Sequence, residues 1–193
     1  MDNEHVVILL VGKTGSGKSA LIKKICERTN ATQLISHTTR PQRSENDTDH
    51  IFVDENTYWR DKQSGNIVAE TNIAGYYYYA TKQQLYDADL YTIDPRGIES
   101  LLSMNLPNIR YVIVYISCPD DIRYRRATNI RGDNKQVFRE RNLSERNEFR
   151  RFVADEKWDY SIKNMNFANS YSVLRWICDV EGMWNNHQED AIE

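Results

Sequence analysis

Apolar positions along this chain follow two alternating periods. His5–Val11 (HVVILLV) is an unbroken run of β-branched residues and leucine, the pattern of a strand buried on both faces, and Gly12 ends it. Beyond Gly17 the spacing becomes helical and predicts a helix to about Arg28 that buries Ala20, Leu21 and Ile25. Further strands are predicted at Gln33–Ser36, Ile51–Val53, Ile67–Thr71, Tyr76–Tyr79, Leu90–Ile93, Arg110–Ile116 and Tyr160–Lys163. Helices are predicted at Asn56–Gln63, Lys82–Ala88, Arg96–Met104, Asp120–Thr128, Asn134–Asp155 and Ala168–Trp184. Thr81 and Gln84 form a capping-box pattern that opens the second of these.

Strands alternating with helices imply an α/β fold, a parallel sheet covered on both faces and connected by right-handed crossovers. The stretch from His37 to Tyr79 breaks that rhythm and reads as a small inserted subdomain. At 193 residues there is room for one such domain with mobile flaps, so the expected division is a core of 1–35 and 81–193 around an insertion at 36–80.

Composition narrows the function. The net charge is −3 and the mean hydropathy −0.71, which gives no global basic surplus for long nucleic acid. Arginines nonetheless recur every few positions between Arg123 and Arg151, a density that can serve a polyanionic small molecule or simply a solvated helix face. Cys26, Cys118 and Cys178 are far apart and lack metal-ligand spacing, which points to reduced thiols in a cytoplasmic protein. The acidic start and the lack of any long apolar run predict neither a signal peptide nor a membrane span. Monomer and homodimer both remain open.

The strongest chemistry sits between the first strand and the first helix. Gly12-Lys13-Thr14-Gly15-Ser16-Gly17-Lys18-Ser19 satisfies G-x-x-x-x-G-K-[ST] in the required strand–loop–helix context. Glycines let peptide N–H groups converge on phosphate oxygens, Lys18 reaches the terminal phosphates, and the Ser19 hydroxyl can ligate Mg²⁺. Gly12, Gly15, Ser16, Gly17, Lys18 and Ser19 are therefore the expected nucleotide-phosphate-binding residues, a motif that by itself does not choose between GTPase, ATPase and kinase. A GTPase would carry Asn-Lys-x-Asp late in the chain; Asn134-Lys135-Gln136-Val137 lacks the aspartate.

Ser36-His37-Thr38-Thr39-Arg40-Pro41-Gln42-Arg43 reads by itself as a solvated basic loop or a phosphate-binding one, and the phosphate loop before it favours the second. Pro41 keeps Arg40 out of helical geometry, so both guanidiniums are presented from an extended loop suited to bidentate contact with a monophosphate. The longer string Ser36–Val53 (SHTTRPQRSENDTDHIFV) resembles the signature of the guanylate kinase family. The resemblance extends to the phosphate loop, Glu70, the tyrosine strand after Gly75, the Ile93-Asp94-x-x-Gly97 turn and the arginines around Arg131-Gly132. It spans about the first 165 residues.

That resemblance implies ATP- and Mg²⁺-dependent phosphorylation of a nucleoside monophosphate, with GMP or dGMP first. It implies that Ser36, Arg40 and Arg43 bind the acceptor, that Glu70 reads the guanine edge, and that Tyr78, with Tyr79 as the alternative, donates to the acceptor phosphate. Asp94 would hold Mg²⁺ through water, although an aspartate there can equally cap the next helix. The insertion at 36–80 would bind the acceptor, and Arg125, Arg131 and Arg141, in a lid at about 123–145, would close over ATP and neutralise the transferring phosphoryl group. The sequence departs from the family at His50 in place of a tyrosine, Thr92 in place of a guanine-binding aspartate, and Ala80 in place of a hydroxyl residue. These departures leave open a monophosphate kinase of different or relaxed base preference. A non-catalytic interaction module of the same fold is the remaining alternative, and the retained Lys18 and Ser19 argue against it.

Overall fold

The computed structural model describes residues 4–42, 45 and 47–187. Arg43, one of the expected acceptor-site residues, lies outside them. The core sheet contains β1 (His5–Val11), β2 (Gln33–Leu34), β7 (Leu90–Ile93), β8 (Ile109–Ser117) and β9 (Tyr160–Lys163), in the order β2-β7-β1-β8-β9 and parallel throughout. β1 is central, and its buried side chains alternate between two cores. Val7, Leu9 and Val11 pack toward Phe149 and Phe152, whereas Val6, Ile8 and Leu10 pack toward Leu21, Ile25 and Leu174. This accounts for the continuous apolar run: a strand covered on both faces has no polar side.

Helix α1 (Lys18–Cys26) buries Leu21, Ile22 and Ile25. Ala20, expected in that stripe, faces solvent instead, because the helix starts at Lys18 and is turned so that Leu21 and Ile22 take the inner positions. α4 (Pro95–Ser103) and α6 (Lys135–Ala154) pack on the opposite face of the sheet, and α7 (Phe167–Val180) lies beside α1. The capping box is present: Gln84 N–H donates to Thr81 Oγ1 while the Gln84 carboxamide accepts from Thr81 N–H, opening α3 (Lys82–Tyr86).

A second sheet contains β3 (His37–Thr38), β4 (Ile51–Phe52), β5 (Ile67–Ile73) and β6 (Tyr76–Thr81), in the order β4-β3-β6-β5. Its one parallel pair is β3 with β4; the others are antiparallel. Helix α2 (Glu55–Gln63), capped by the Asp54 carboxylate on Thr57 N–H, covers one face through Tyr58. The predicted strand Gln33–Ser36 is cut to two residues, since the chain leaves the core sheet after Leu34 and His37 pairs with Tyr79 in the second one. Such two-residue strands carry no period to read.

The predicted helix Asp120–Thr128 is in fact two pieces, α5 (Asp120–Arg125) and a π-helical turn at Arg126–Ile130. The C-terminal helix stops at Val180 and is followed by a 3₁₀ turn at Met183–His187. No helix among the described residues is long and apolar enough to cross a membrane.

Candidate active site

The phosphate loop is held by its neighbours at close range. A Cβ on Gly12 would stand 2.4 Å from Ile116 O of β8, so only glycine lets the loop leave β1 at that point. Gly15 combines a φ of +76° with an approach of 2.6 Å to Arg123 O, and both features exclude a side chain. Ser16 is buried, and its carbonyl accepts from Asn164 Nδ2 at 2.8 Å. Lys18 folds back over the loop, its Nζ donating to Gly12 O at 2.5 Å.

Burial strips water from the Lys18 ammonium and lowers its pKa from 10.5 to about 8. The Glu145 carboxylate opposes that shift, and Arg131 and Arg123 add to it. In linkage terms, the charged form is penalised in the fold at pH values below about 8. This penalty is relieved between about 8 and 10.5, so the Lys18 contribution to stability rises with pH across that window. Phosphate binding has the opposite slope, because it needs the proton. ADP affinity is expected to fall as pH rises through about 8, by roughly ten-fold for one lost charge-assisted contact, and the trend should be flat in Lys18→Ala. Calorimetric titration between pH 6.5 and 9.5 checks this.

The segment 123–145 brings three positive groups and one negative to the phosphate loop. Arg123 on α5 is only 1% exposed. Its Nη1 donates to Thr14 O at 2.8 Å, and its Nη2 donates to Asp120 at 2.7 Å and to Asn142 at 2.6 Å. Arg126 Nη1 donates to Asn164 O at 3.0 Å, and Arg131 pairs with Asp133. Arg126 and Arg131 face Lys18 and Ser19 across a cleft of about 430 Å³. From α6, the Glu145 carboxylate accepts the Thr14 N–H at 3.0 and 3.2 Å. Of the expected lid residues, Arg131 is at the cleft, Arg141 is half-buried one turn before Glu145, and Arg125 points to solvent. The inward arginines Arg123 and Arg126 were not singled out by sequence, nor was Glu145.

On the acceptor side, one face of the second sheet gathers Ser36, Arg40, His50 and Tyr78. Ser36 Oγ and His50 Nδ1 are 2.9 Å apart, and the His50 ring meets the Tyr78 ring edge-on at 5.3 Å. Arg40 is 8% exposed, lies over Phe52 and pairs with Asp47 at 3.0 Å. Tyr79 is on the other face, stacked on His37, with its hydroxyl donated to Asp61 at 2.9 Å. Alternation along β6 thus puts Tyr78, rather than Tyr79, beside His50.

Asp94 caps α4 through Gly97 N–H at 2.9 Å, and its second oxygen accepts from Thr71 Oγ1 at 3.2 Å. Thr92 is half-buried on β7, paired in register with Leu10, and Ala80 is fully buried. Glu70 stands apart from the other expected acceptor residues. A register shift between Val68 and Thr71, with Ala69 at a φ of +54°, turns its carboxylate toward α2, where Tyr58 OH donates at 2.5 Å and Lys62 Nζ at 2.7 Å. The hydrogen bonds from Lys62 to Glu70 and then to Tyr58 hold that ammonium above its usual range. Thr71, the next residue, takes the acceptor-facing position beside Asp94.

A phosphate loop closing on a central parallel strand, beside a second small sheet and an arginine-bearing segment at 123–145, fits a P-loop nucleoside monophosphate kinase. The guanylate kinase family model matches residues 4–180, so the chain belongs to the guanylate kinase family. Guanylate kinases of Helicobacter pylori strains J99 and 26695 are each 27% identical over 184 residues, covering 90% of this chain and 86% of theirs. The crystal structure of guanylate kinase from Anaplasma phagocytophilum superposes with a TM-score of 0.61 at 18% identity, over 94% of this chain and 88% of that one, which supports the fold.

Proposed function

We propose that this kinase transfers the γ-phosphoryl group of ATP to the 5′-phosphate of GMP or dGMP. The observation that carries the reading is the pairing of two phosphate-binding elements: the Gly12–Ser19 loop with Lys18, and the Ser36/Arg40/His50/Tyr78 face. The insertion at 36–80 and the lid at about 123–145 would close as flaps on a core of 1–35 and 81–193. An acceptor phosphate is already ionised, so no strong general base is required and catalysis is positioning plus electrostatics. Lys18, Arg126 and Arg131 would neutralise the transferring group, while Arg40, together with Arg43, would orient the acceptor. Arg141, half-buried in the lid, would add to this charge on closure.

The oxygen donors also fit Mg²⁺. The Ser19 hydroxyl opens on the cleft beside Lys18, and the Asp94 carboxylate oxygens each keep a lone pair beyond their present bond. The ion would supply charge neutralisation on the transferring phosphate. Cys26, Cys118 and Cys178 are free thiols, which supports placement in a reducing compartment such as the cytoplasm.

One observation favours a second reading, a kinase with relaxed base choice. The Glu70 carboxylate is engaged by Tyr58 and Lys62 on the α2 side, leaving neutral Thr71 opposite Tyr78 on the acceptor face. Selection of one base relies on buried polar groups that only that base satisfies. The test is kcat/KM for GMP, dGMP, AMP and dTMP in wild type, Arg40→Ala and Glu70→Gln. Arg40→Ala should raise the acceptor KM or lower kcat by roughly 10–100-fold with little change in ATP affinity. If Glu70 swings to the base, Glu70→Gln should erode guanine preference by about ten-fold or more. An unchanged base ranking in Glu70→Gln selects the relaxed reading, and ATP binding that suffers equally in Arg40→Ala removes the acceptor assignment.

A further inference from the structure

The two backbone groups of Thr14, the third residue of the phosphate loop, are both held from the lid. Its carbonyl accepts from Arg123 at 2.8 Å, and its N–H is shared by the two oxygens of Glu145 at 3.0 and 3.2 Å. Glu145 belongs to α6, where one turn later Glu148 accepts the Arg96 N–H at the start of α4. Peptide N–H groups in such a loop are the donors that receive phosphate oxygens, and Lys18 is the charge that accompanies them. Glu145 is close enough to Lys18 to be the main group opposing the loss of its proton. Its own carboxyl is pushed up by burial and pulled back by the Thr14 bond, Lys18 and Arg123. A half-buried carboxylate on this N–H and beside this ammonium mimics one charge of a polyphosphate.

We infer that Glu145 is an internal competitor for nucleotide phosphate, bonding Thr14 N–H and balancing Lys18 until a polyphosphate displaces it. The inference rests on the reading of Gly12–Ser19 as the nucleotide phosphate site. Binding then exchanges one anion for another within the loop. Nucleotide arrival forces the inner turn of α6 to withdraw, and through Glu148 the movement reaches the N-terminus of α4 that Asp94 caps. Part of the intrinsic affinity for nucleotide is consumed in displacing the carboxylate.

The experiment is calorimetric binding of ADP, inorganic tripolyphosphate and adenosine to wild type, Glu145→Ala, Glu145→Gln and Lys18→Ala. Glu145→Ala should bind ADP and tripolyphosphate about ten-fold more tightly, the scale of one charge-assisted hydrogen bond. Glu145→Gln, nearly isosteric and the safer variant for folding, should move in the same direction by a smaller factor. Adenosine, which has no phosphate, should bind all four proteins alike. Unchanged or weaker tripolyphosphate binding in both Glu145 variants overturns the inference, as does a gain that extends equally to adenosine. Failure of the underlying reading looks different: wild type and Lys18→Ala would then bind tripolyphosphate with the same affinity.

Discussion

Lys18→Ala is expected to lower kcat by more than ~100-fold, several kcal/mol of barrier, with the folded structure intact. The expectation follows from where the ammonium lies. Lys18 is bonded to Gly12 O within the loop, partly desolvated, and faces Arg126 and Arg131 across the cleft. A charge placed beforehand in a low-dielectric site needs no reorganisation when negative charge moves toward it. The same burial makes the charged side chain a cost to the nucleotide-free fold near neutral pH, so alanine should leave the melting temperature unchanged or slightly raised. Steady-state assay and thermal melting together provide the check. Turnover within ~10-fold of wild type would remove Lys18 from the transferring phosphoryl group.

Arg123→Met should destabilise the protein by about 2–4 kcal/mol, from lost charge-assisted bonds to Asn142, Asp120 and Thr14 O around a fully buried guanidinium. For a chain of this length that corresponds to a fall in melting temperature of roughly 5–15 °C. Methionine retains the apolar stem that packs by the Phe138 ring, so the polar contacts are what the substitution removes. The Asp120 carboxylate is 73% exposed and is left in water, which keeps the cost below that of stranding a buried charge. Because Arg123 fixes the carbonyl of Thr14, nucleotide affinity should fall along with stability. Thermal melting and ADP titration of the variant test both parts, and a melting temperature within 2 °C of wild type would contradict the first.

The elements with strong periods were legible in the sequence. β1, α6 and the capping box at Thr81–Gln84 stand within a residue or two of where the patterns put them, because each is fixed by local burial or a cap. The phosphate loop was legible for a related reason: its glycines answer contacts made within one strand–loop–helix unit. Side chains whose placement depends on distant partners were not. Glu145 meets Thr14 from 131 residues away, and Asn164 meets Ser16 from 148. α6 does carry a partial signal, since Glu145, Glu148, Phe149 and Phe152 share one helical face, and the last two are core residues. The direction of the Glu70 side chain was not legible, because the spacing to Gly75 could not reveal the bulge at Ala69, and one residue of bulge exchanges the two faces of a strand.

The π-helical turn at Arg126–Ile130 has a consequence for how this chain tolerates change in length. In an α-helix each residue advances the azimuth by about 100°, so one additional residue would rotate everything beyond it by more than a quarter turn. A wider turn absorbs that residue locally. Here it leaves α5, with Arg123 on the phosphate loop, and the Arg131-Gly132 bend each in its own phase. It also decouples numbering from direction: adjacent arginines diverge, Arg125 to water and Arg126 to Asn164. The extra residue is thus taken up in a single wide coil of backbone, and the regular helix before it keeps its own phase.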